Sequence, residues 1–196
     1  MKYNWVFNHL LKNRKSAHPC IIGIDGLSRS GKTTFVRHFE NELNQQSVRY
    51  ITFHIDDHIV ERRRRYNTGN EEWVEYYYLQ WDIEWLKNNF FKKMKKQTRL
   101  QLPYYNQLDD VQVLQSVDIG EVEFIIVEGV FLQREEWRPA FDTVLFLDCN
   151  KERRFARENE RTRKEIEKFQ NRYWKAEEHY IRKVNPLDQA DLIVQS

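Results

Sequence analysis

Glycine and proline are scarce in this 196-residue chain, at six and four, and no internal repeat or low-complexity linker interrupts it. Cysteine is scarcer still. Cys20 and Cys149 each stand beside an apolar run that reads as a buried strand, which argues against a disulfide framework and for a reducing compartment. Long apolar runs are missing, and none approaches the ~20 residues that a membrane span needs. The segment Met1 to Arg14 is amphipathic with no continuous apolar stretch, so it does not read as a signal peptide. An excess of one charge is absent as well: 32 Lys and Arg face 30 Asp and Glu, a net +2, without the basic footprint of a nucleic-acid binder. What the chain does have is aromatic residues, twelve Phe, ten Tyr and six Trp, a composition that opposes disorder. The expectation is one cytoplasmic domain over 1–196, with no membrane and no nucleic-acid partner, compatible with a homo-oligomer.

Apolar runs alternate with amphipathic segments. Cys20 to Ile24, Val48 to Ile55, Glu123 to Val127, Thr143 to Leu147 and Asp191 to Val194 read as strands. Phe35, Val36, Phe39 and Leu43 recur at helical spacing and predict a helix over Thr33–Gln46. Short, continuous apolar strands separated by helices imply a parallel sheet covered on both faces, hence an α/β fold. Between about 57 and 115 the composition shifts to Arg, Lys and aromatics. That stretch reads as an insertion, helical from Trp73 to Lys96, with Pro103 as a breaker beyond it. From Lys151 to Val184 the chain reads as a long charged helical region, with a lid over about 151–170.

Gly26-Leu27-Ser28-Arg29-Ser30-Gly31-Lys32-Thr33 fits the phosphate-binding pattern G-x-x-x-x-G-K-[ST], and it follows a predicted strand and opens a predicted helix. Glycines let the main chain curl so that its amides face phosphate oxygens, and the helix N-terminus adds about half a positive charge. Gly26, Ser28, Arg29, Ser30, Gly31, Lys32, Thr33 and Thr34 are the expected nucleotide contacts. Lys32 should reach the β- and γ-phosphates, and the Thr33 hydroxyl should hold Mg²⁺. The expected fold is therefore a P-loop NTPase: about five parallel strands with helices on both faces, an insertion and a helical lid.

In such sheets ligands bind beyond the carboxyl ends of the strands. Two of those ends carry acids, His54-Ile55-Asp56-Asp57-His58 and Ile125-Ile126-Val127-Glu128-Gly129. Phosphoryl transfer to an alcohol needs one carboxylate to accept the hydroxyl proton and one to organise Mg²⁺. Asp56 suits the first role and Glu128 the second; the plainer readings are a helix N-cap and a solvated surface acid.

With these residues the chain resembles the uridine kinase-like branch of P-loop kinases, which includes bacterial pantothenate kinase and phosphoribulokinase. The likeness runs from about Cys20 to Val194. GLSRSGKTT is similar to the family's loop, Asp56-Asp57-His58 to its general-base segment, and IIVEG to its second acidic strand end. The resemblance implies an ATP- and Mg²⁺-dependent kinase acting on a small hydroxyl compound, most simply a nucleoside. It further implies that Asp82, in Gln80-Trp81-Asp82, accepts sugar hydroxyls and that Tyr105, in Pro103-Tyr104-Tyr105, touches the acceptor. Three positions depart from the pattern. Arg29 replaces the loop's usual second glycine, His58 replaces an aromatic, and Asp110 stands where a base-reading histidine would fall.

Arg153, Arg157 and Arg161 recur at i, i+4 and i+8 and predict one arginine-lined helical face. In the family's lid such arginines close over the triphosphate, so Arg157 and Arg161 are candidate catalytic residues. The alternative is a solvated helix with local pairs such as Arg154–Glu158. The run Arg62 to Arg65 reads as a solvated face or, at Arg62 and Arg63, as a site for an anionic acceptor such as a sugar phosphate. A rival from another class is an ATP-binding switch that hydrolyses slowly and needs no acceptor base.

Overall fold

The computed structural model describes residues 3–12 and 19–196, the side chain of Arg161 excepted. Of the amphipathic N-terminal segment, Asn4–Lys12 form helix α1, while Met1, Lys2 and 13–18 lie outside the described residues.

Five strands form one parallel sheet: β1 (Cys20–Gly26), β2 (Tyr50–His54), β5 (Phe124–Glu128), β6 (Thr143–Asp148) and β7 (Leu192–Gln195), in the order β2-β5-β1-β6-β7. All five strands predicted from apolar runs are present, shifted by a residue or two. Alternate side chains of β1 and β5 point to opposite faces, which explains why both read as unbroken apolar runs. Ile22, Ile24 and Ile126 join Phe35 and Phe39 of α2 (Lys32–Gln45) and Phe7 and Leu10 of α1 in one core layer. Ile21, Ile125 and Val127 join the aromatic layer of Phe53, Phe90, Phe131 and Trp137 on the other face. Fully burying one such side chain is worth about 1.5–3 kcal/mol. Among the described residues no helix is long and apolar enough to cross a membrane.

The insertion departs from the predicted single helix over Trp73–Lys96. It contains α3 (Arg62–Arg65), α4 (Glu72–Tyr78), α5 (Ile83–Leu86) and a π-helical turn at Lys87–Phe91. The break has a local cause: Asp82 accepts from the amide of Trp85 at 3.1 Å and starts a new helix. Pro103 does not break an element either. It lies inside β3 (Arg99–Asn106), opposite Leu114 of β4 (Val111–Asp118), in a two-stranded antiparallel ribbon where each strand keeps an open edge that tolerates proline. The carbonyl of Pro103 accepts from His58 Nδ1 at 2.8 Å, fastening the ribbon to the segment that carries Asp56.

The charged region also divides, into α6 (Lys151–Ala156), α7 (Glu160–Arg163), α8 (Ile166–Lys168), a π-helical turn at Phe169–Trp174, α9 (Lys175–Val184) and α10 (Pro186–Gln189). The predicted stripe does not survive this division, because α6 ends at Ala156 and Arg157 is its C-cap. Arg153 turns to the carbonyl of Ser196 and Arg157 to the carbonyl of Arg29. The side chain of Arg161 lies outside the described residues.

Candidate active site

β1 is the middle strand, and the chain leaves it at the point where the strand order reverses, where a parallel sheet opens a crevice. Gly26, at φ +152°, ends β1; a Cβ there would meet Ser30 Oγ at 2.6 Å and the Leu147 carbonyl oxygen at 2.8 Å. Gly31, at φ +99°, precedes α2, whose first-turn amides have no intrahelical acceptor and favour an anion. Between them, Arg29 holds a left-handed φ of +60°. That conformation costs a non-glycine residue about 1–2 kcal/mol.

Lys32 is buried and donates to the carbonyls of Gly26 and Leu27, both at 3.0 Å, so its ammonium is folded back on the loop. Burial lowers its pKa, against the pull of Glu128, Asp25 and Asp56. His54 and Glu128 are register partners at the carboxyl ends of β2 and β5, with Nδ1 and Oε2 2.7 Å apart. Burial works against the Glu128 charge. The bond to His54, the Lys32 ammonium and Thr33 together outweigh it and hold the carboxyl below its ordinary value. His54 is correspondingly raised by its bond to Glu128. Thr33 donates its hydroxyl to Glu128 at 3.3 Å, placing two oxygen ligands of the kind Mg²⁺ prefers beside the loop.

Asp56 follows β2 in a 3₁₀ turn, Ile55–His58, whose N-cap is His54, so the capping reading of Asp56 does not apply. Its carboxylate is open to solvent, yet protein crowds it on most sides, and that desolvation raises its pKa against the opposing Lys32 charge. Asp56 lines two cavities. One, of about 520 Å³, is walled by Ser28, Arg29, Gly31, Lys32, Thr33, Thr34 and Glu128, with Arg157, Glu158, Phe169 and Tyr173 from the charged helical region. The other, of about 670 Å³, lies toward the insertion and includes Asp57, Arg62, Arg65, Tyr105 and Lys168.

Residues 21–196 match the model of the Phosphoribulokinase / Uridine kinase family. The chain belongs to that family. It is 44% identical to a possible uridine kinase from Bacillus stearothermophilus, with a TM-score of 0.87 over 98% of this chain and 96% of that one. It is also 26% identical over 160 residues to the uridine kinase of Ureaplasma urealyticum serovar 10, spanning 77% of this chain and 74% of that protein. A third relative, the uridine kinase of Borrelia turicatae, is 27% identical over 147 residues, 72% of this chain and 66% of its own. The protein is thus an ATP-dependent kinase.

The structure brings Lys32, Thr33, Thr34, Ser28, Arg29, Asp56, Glu128 and Arg157 to the loop cavity, and Arg62 and Tyr105 to the second. Gly26 and Ser30 shape the loop from behind and do not line that cavity; the Ser30 carbonyl accepts from the Ser196 hydroxyl. Two expected acceptor residues lie elsewhere. Asp82 caps α5 and pairs with Arg64 at 3.0 Å, and Arg63 is exposed away from the cavity. In their place Arg65, buried, holds its guanidinium over the rings of Tyr66 and Tyr105 at 4.9 and 5.2 Å.

Sequence reasoning missed the support beneath the loop. Asp25, fully buried, accepts from the Gly26 amide at 2.8 Å, Gln133 Nε2 at 3.0 Å and the Tyr180 hydroxyl at 2.5 Å. Glu177 accepts from the Ser28 amide at 2.9 Å while Arg154, its buried ion-pair partner, donates to the Ser28 carbonyl at 3.0 Å. The local Arg154–Glu158 pair is therefore not formed; Glu158 pairs instead with Arg29 at 2.8 Å. For Asp25 a signal was available, since a lone carboxylate interrupts the apolar run just before the first loop glycine.

Proposed function

We propose that this kinase transfers the γ-phosphoryl group of Mg²⁺–ATP to a hydroxyl of a nucleoside-like metabolite seated between Asp56 and the β3–β4 ribbon. The single observation that carries this reading is that Asp56 lines both cavities, the one built on the phosphate loop and the one beside the ribbon. A group shared in that way can touch an alcohol on one side while the phosphoryl donor lies on the other. The uridine kinases among its relatives support a nucleoside acceptor. The setting is the cytoplasm, in keeping with two buried cysteines.

In this mechanism Asp56 orients the acceptor hydroxyl and takes its proton. Lys32 leaves the Gly26 and Leu27 carbonyls for the phosphates, which offer its buried ammonium stronger acceptors. Thr33 and Glu128 would hold Mg²⁺, which supplies positive charge against the phosphate oxygens. The lowered pKa of Glu128 keeps it ionised for that purpose. Tyr105, whose hydroxyl donates to Asp110 at 2.8 Å, forms part of the acceptor wall.

The ionised form of Asp56 is the one that accepts a proton, so kcat/KM should rise with pH through its pKa. That acid limb is expected above the ordinary 3.8 of an aspartate, because the crowding protein around the carboxyl favours its neutral form. A pH–rate profile of the free enzyme checks this, and a limb at or below 3.8 would contradict the desolvation argument.

A second reading, an acceptor bearing a phosphate or carboxylate, draws on Arg62, Arg65 and Lys168 in the same cavity. Labelled ATP, Mg²⁺ and a panel of neutral nucleosides and sugar phosphates separate the two. Transfer to a nucleoside is expected, and Arg62→Ala should raise KM only if the acceptor is anionic. A protein that labels no acceptor, yet hydrolyses ATP, would support the switch reading instead.

A further inference from the structure

The backbone of Arg29 sits where a glycine would sit without strain, and it does so in the middle of the phosphate loop. A strained residue kept at such a place asks what its side chain does there. The guanidinium reaches Glu158, in the turn between α6 and α7, through Nε alone at 2.8 Å. No hydrogen bond of its two terminal nitrogens is found among the described residues, and the side chain is 52% exposed. The pair uses one of the three guanidinium nitrogens and so does not account for the whole side chain. Both Arg29 and Glu158 line the loop cavity. Glu158 is itself buried, and its Oε2 has no hydrogen-bond partner in the structure. A carboxylate half satisfied by one guanidinium nitrogen is a weaker partner than a triphosphate, which carries more charge and more acceptor oxygens.

Of the two arginines expected to act from the lid, Arg157 is differently engaged. It lines the same cavity but spends a terminal nitrogen on the Arg29 carbonyl at 2.8 Å, so it braces the loop backbone. We propose that Arg29 is a catalytic arginine built into the phosphate loop, parked on Glu158 until ATP binds and then donating through its terminal nitrogens to the transferring γ-phosphoryl. This rests on the kinase reading above. In the step it serves, the acceptor oxygen bonds to the γ-phosphorus, and the bond from that phosphorus to the β–γ bridging oxygen breaks. ADP departs with the electron pair, and the hydroxyl proton passes to Asp56. Arg29 offsets the charge that develops on the equatorial and bridging oxygens, and Glu158 takes it back after ADP leaves.

The test compares wild type with Arg29→Gly and Arg29→Lys. It uses thermal melting, calorimetric binding of Mg²⁺–ATP and of Mg²⁺–ADP with aluminium fluoride, and turnover with an acceptor or with water. Arg29→Gly trades relief of the left-handed φ against an unpaired Glu158, so melting serves to show that it is folded, and it should bind ATP within about fivefold. Its kcat should fall by about 10²-fold or more, and its affinity for the ADP–aluminium fluoride complex should fall in parallel. Arg29→Lys should recover little, because an ammonium lacks the planar fork, whereas added guanidinium ion at low millimolar concentration should restore part of the Arg29→Gly rate. A folded Arg29→Gly protein with kcat within about threefold of wild type and undiminished aluminium fluoride binding would overturn the proposal, since that is the behaviour of a merely structural loop residue. If the wild type binds ATP but phosphorylates no acceptor, the kinase reading fails separately, and the aluminium fluoride comparison still decides for or against Arg29.

Discussion

An Asp56→Asn variant is expected to bind Mg²⁺–ATP with wild-type affinity and to lose phosphoryl transfer by about 10²–10⁴-fold in kcat, the range a positioned general base supplies. That loss corresponds to about 3–5 kcal/mol at the transition state. Asparagine preserves the shape and one acceptor oxygen, so the acceptor still docks, but it cannot take the hydroxyl proton. Because Asp56 lines the wall shared by both cavities, the acceptor's KM should move far less than kcat. Steady-state kinetics with an acceptor that the wild type phosphorylates, together with ATP titration, decide the matter. Equal turnover in variant and wild type would remove Asp56 from the chemistry and return the protein to the class of nucleotide-dependent switches. A by-product is informative as well: removing the negative charge next to Lys32 should let that ammonium titrate lower, since Asp56 is one of the acids that raise its pKa.

The second large effect is structural and lies where the π-helical turn at Phe169–Trp174 meets α4. Arg172, in the π-helical turn, pairs with Glu75 of α4 at 3.0 Å, with both side chains almost fully buried. The guanidinium also donates to the carbonyls of Glu72 and Arg65 and lies 4.1 Å from the ring centre of Tyr66. Glu75 additionally accepts from the amide and hydroxyl of Thr68. An Arg172→Met variant leaves the Glu75 carboxylate buried without its cation, which should cost about 3–5 kcal/mol. For a chain of this length, that lowers Tm by roughly 6–20 °C. Arg65 and Tyr66 line the cavity proposed for the acceptor, so its KM should rise in protein that remains folded, while ATP binding persists. Melting curves and a KM series check both statements. A melting temperature unchanged within 2–3 °C, on the order of 1 kcal/mol at this size, would mean that the pair contributes nothing beyond its own desolvation.

How much of this was readable beforehand depended on the range of the interaction. The five parallel strands, α2 and the loop from Gly26 to Thr33 were legible because each is written in adjacent residues: an apolar run, a 3.6-residue spacing, a glycine at each end of a curl. Asp56 and Glu128 were legible as site candidates because a sheet of this kind exposes its strand ends on one side, and both acids follow apolar strands. The helical insertion was misread because a charge-rich aromatic segment satisfies helical periodicity over its whole length, whereas the cap at Asp82 and the ribbon after it depend on what they pack against. The arginine stripe was misread for a related reason. Spacing i, i+4, i+8 presumes an unbroken helix, and the chain turns at Arg157 instead.

Partner choice was the least readable property. Arg154 had an acid four residues away and took one 23 residues away, because Glu177 is buried beside it and beneath Ser28, where a charge needs a partner most. Glu158, released from that local pairing, became the partner of Arg29. The residue order alone therefore established the parallel α/β fold, the phosphate loop and the two strand-end acids, since these follow from backbone conformation and burial periodicity over a few residues. Which arginines line the loop cavity, which acids support the loop from below and where the second cavity lies were settled only by folding. Those outcomes turn on desolvation, and how much water a charge loses depends on segments far apart in the chain.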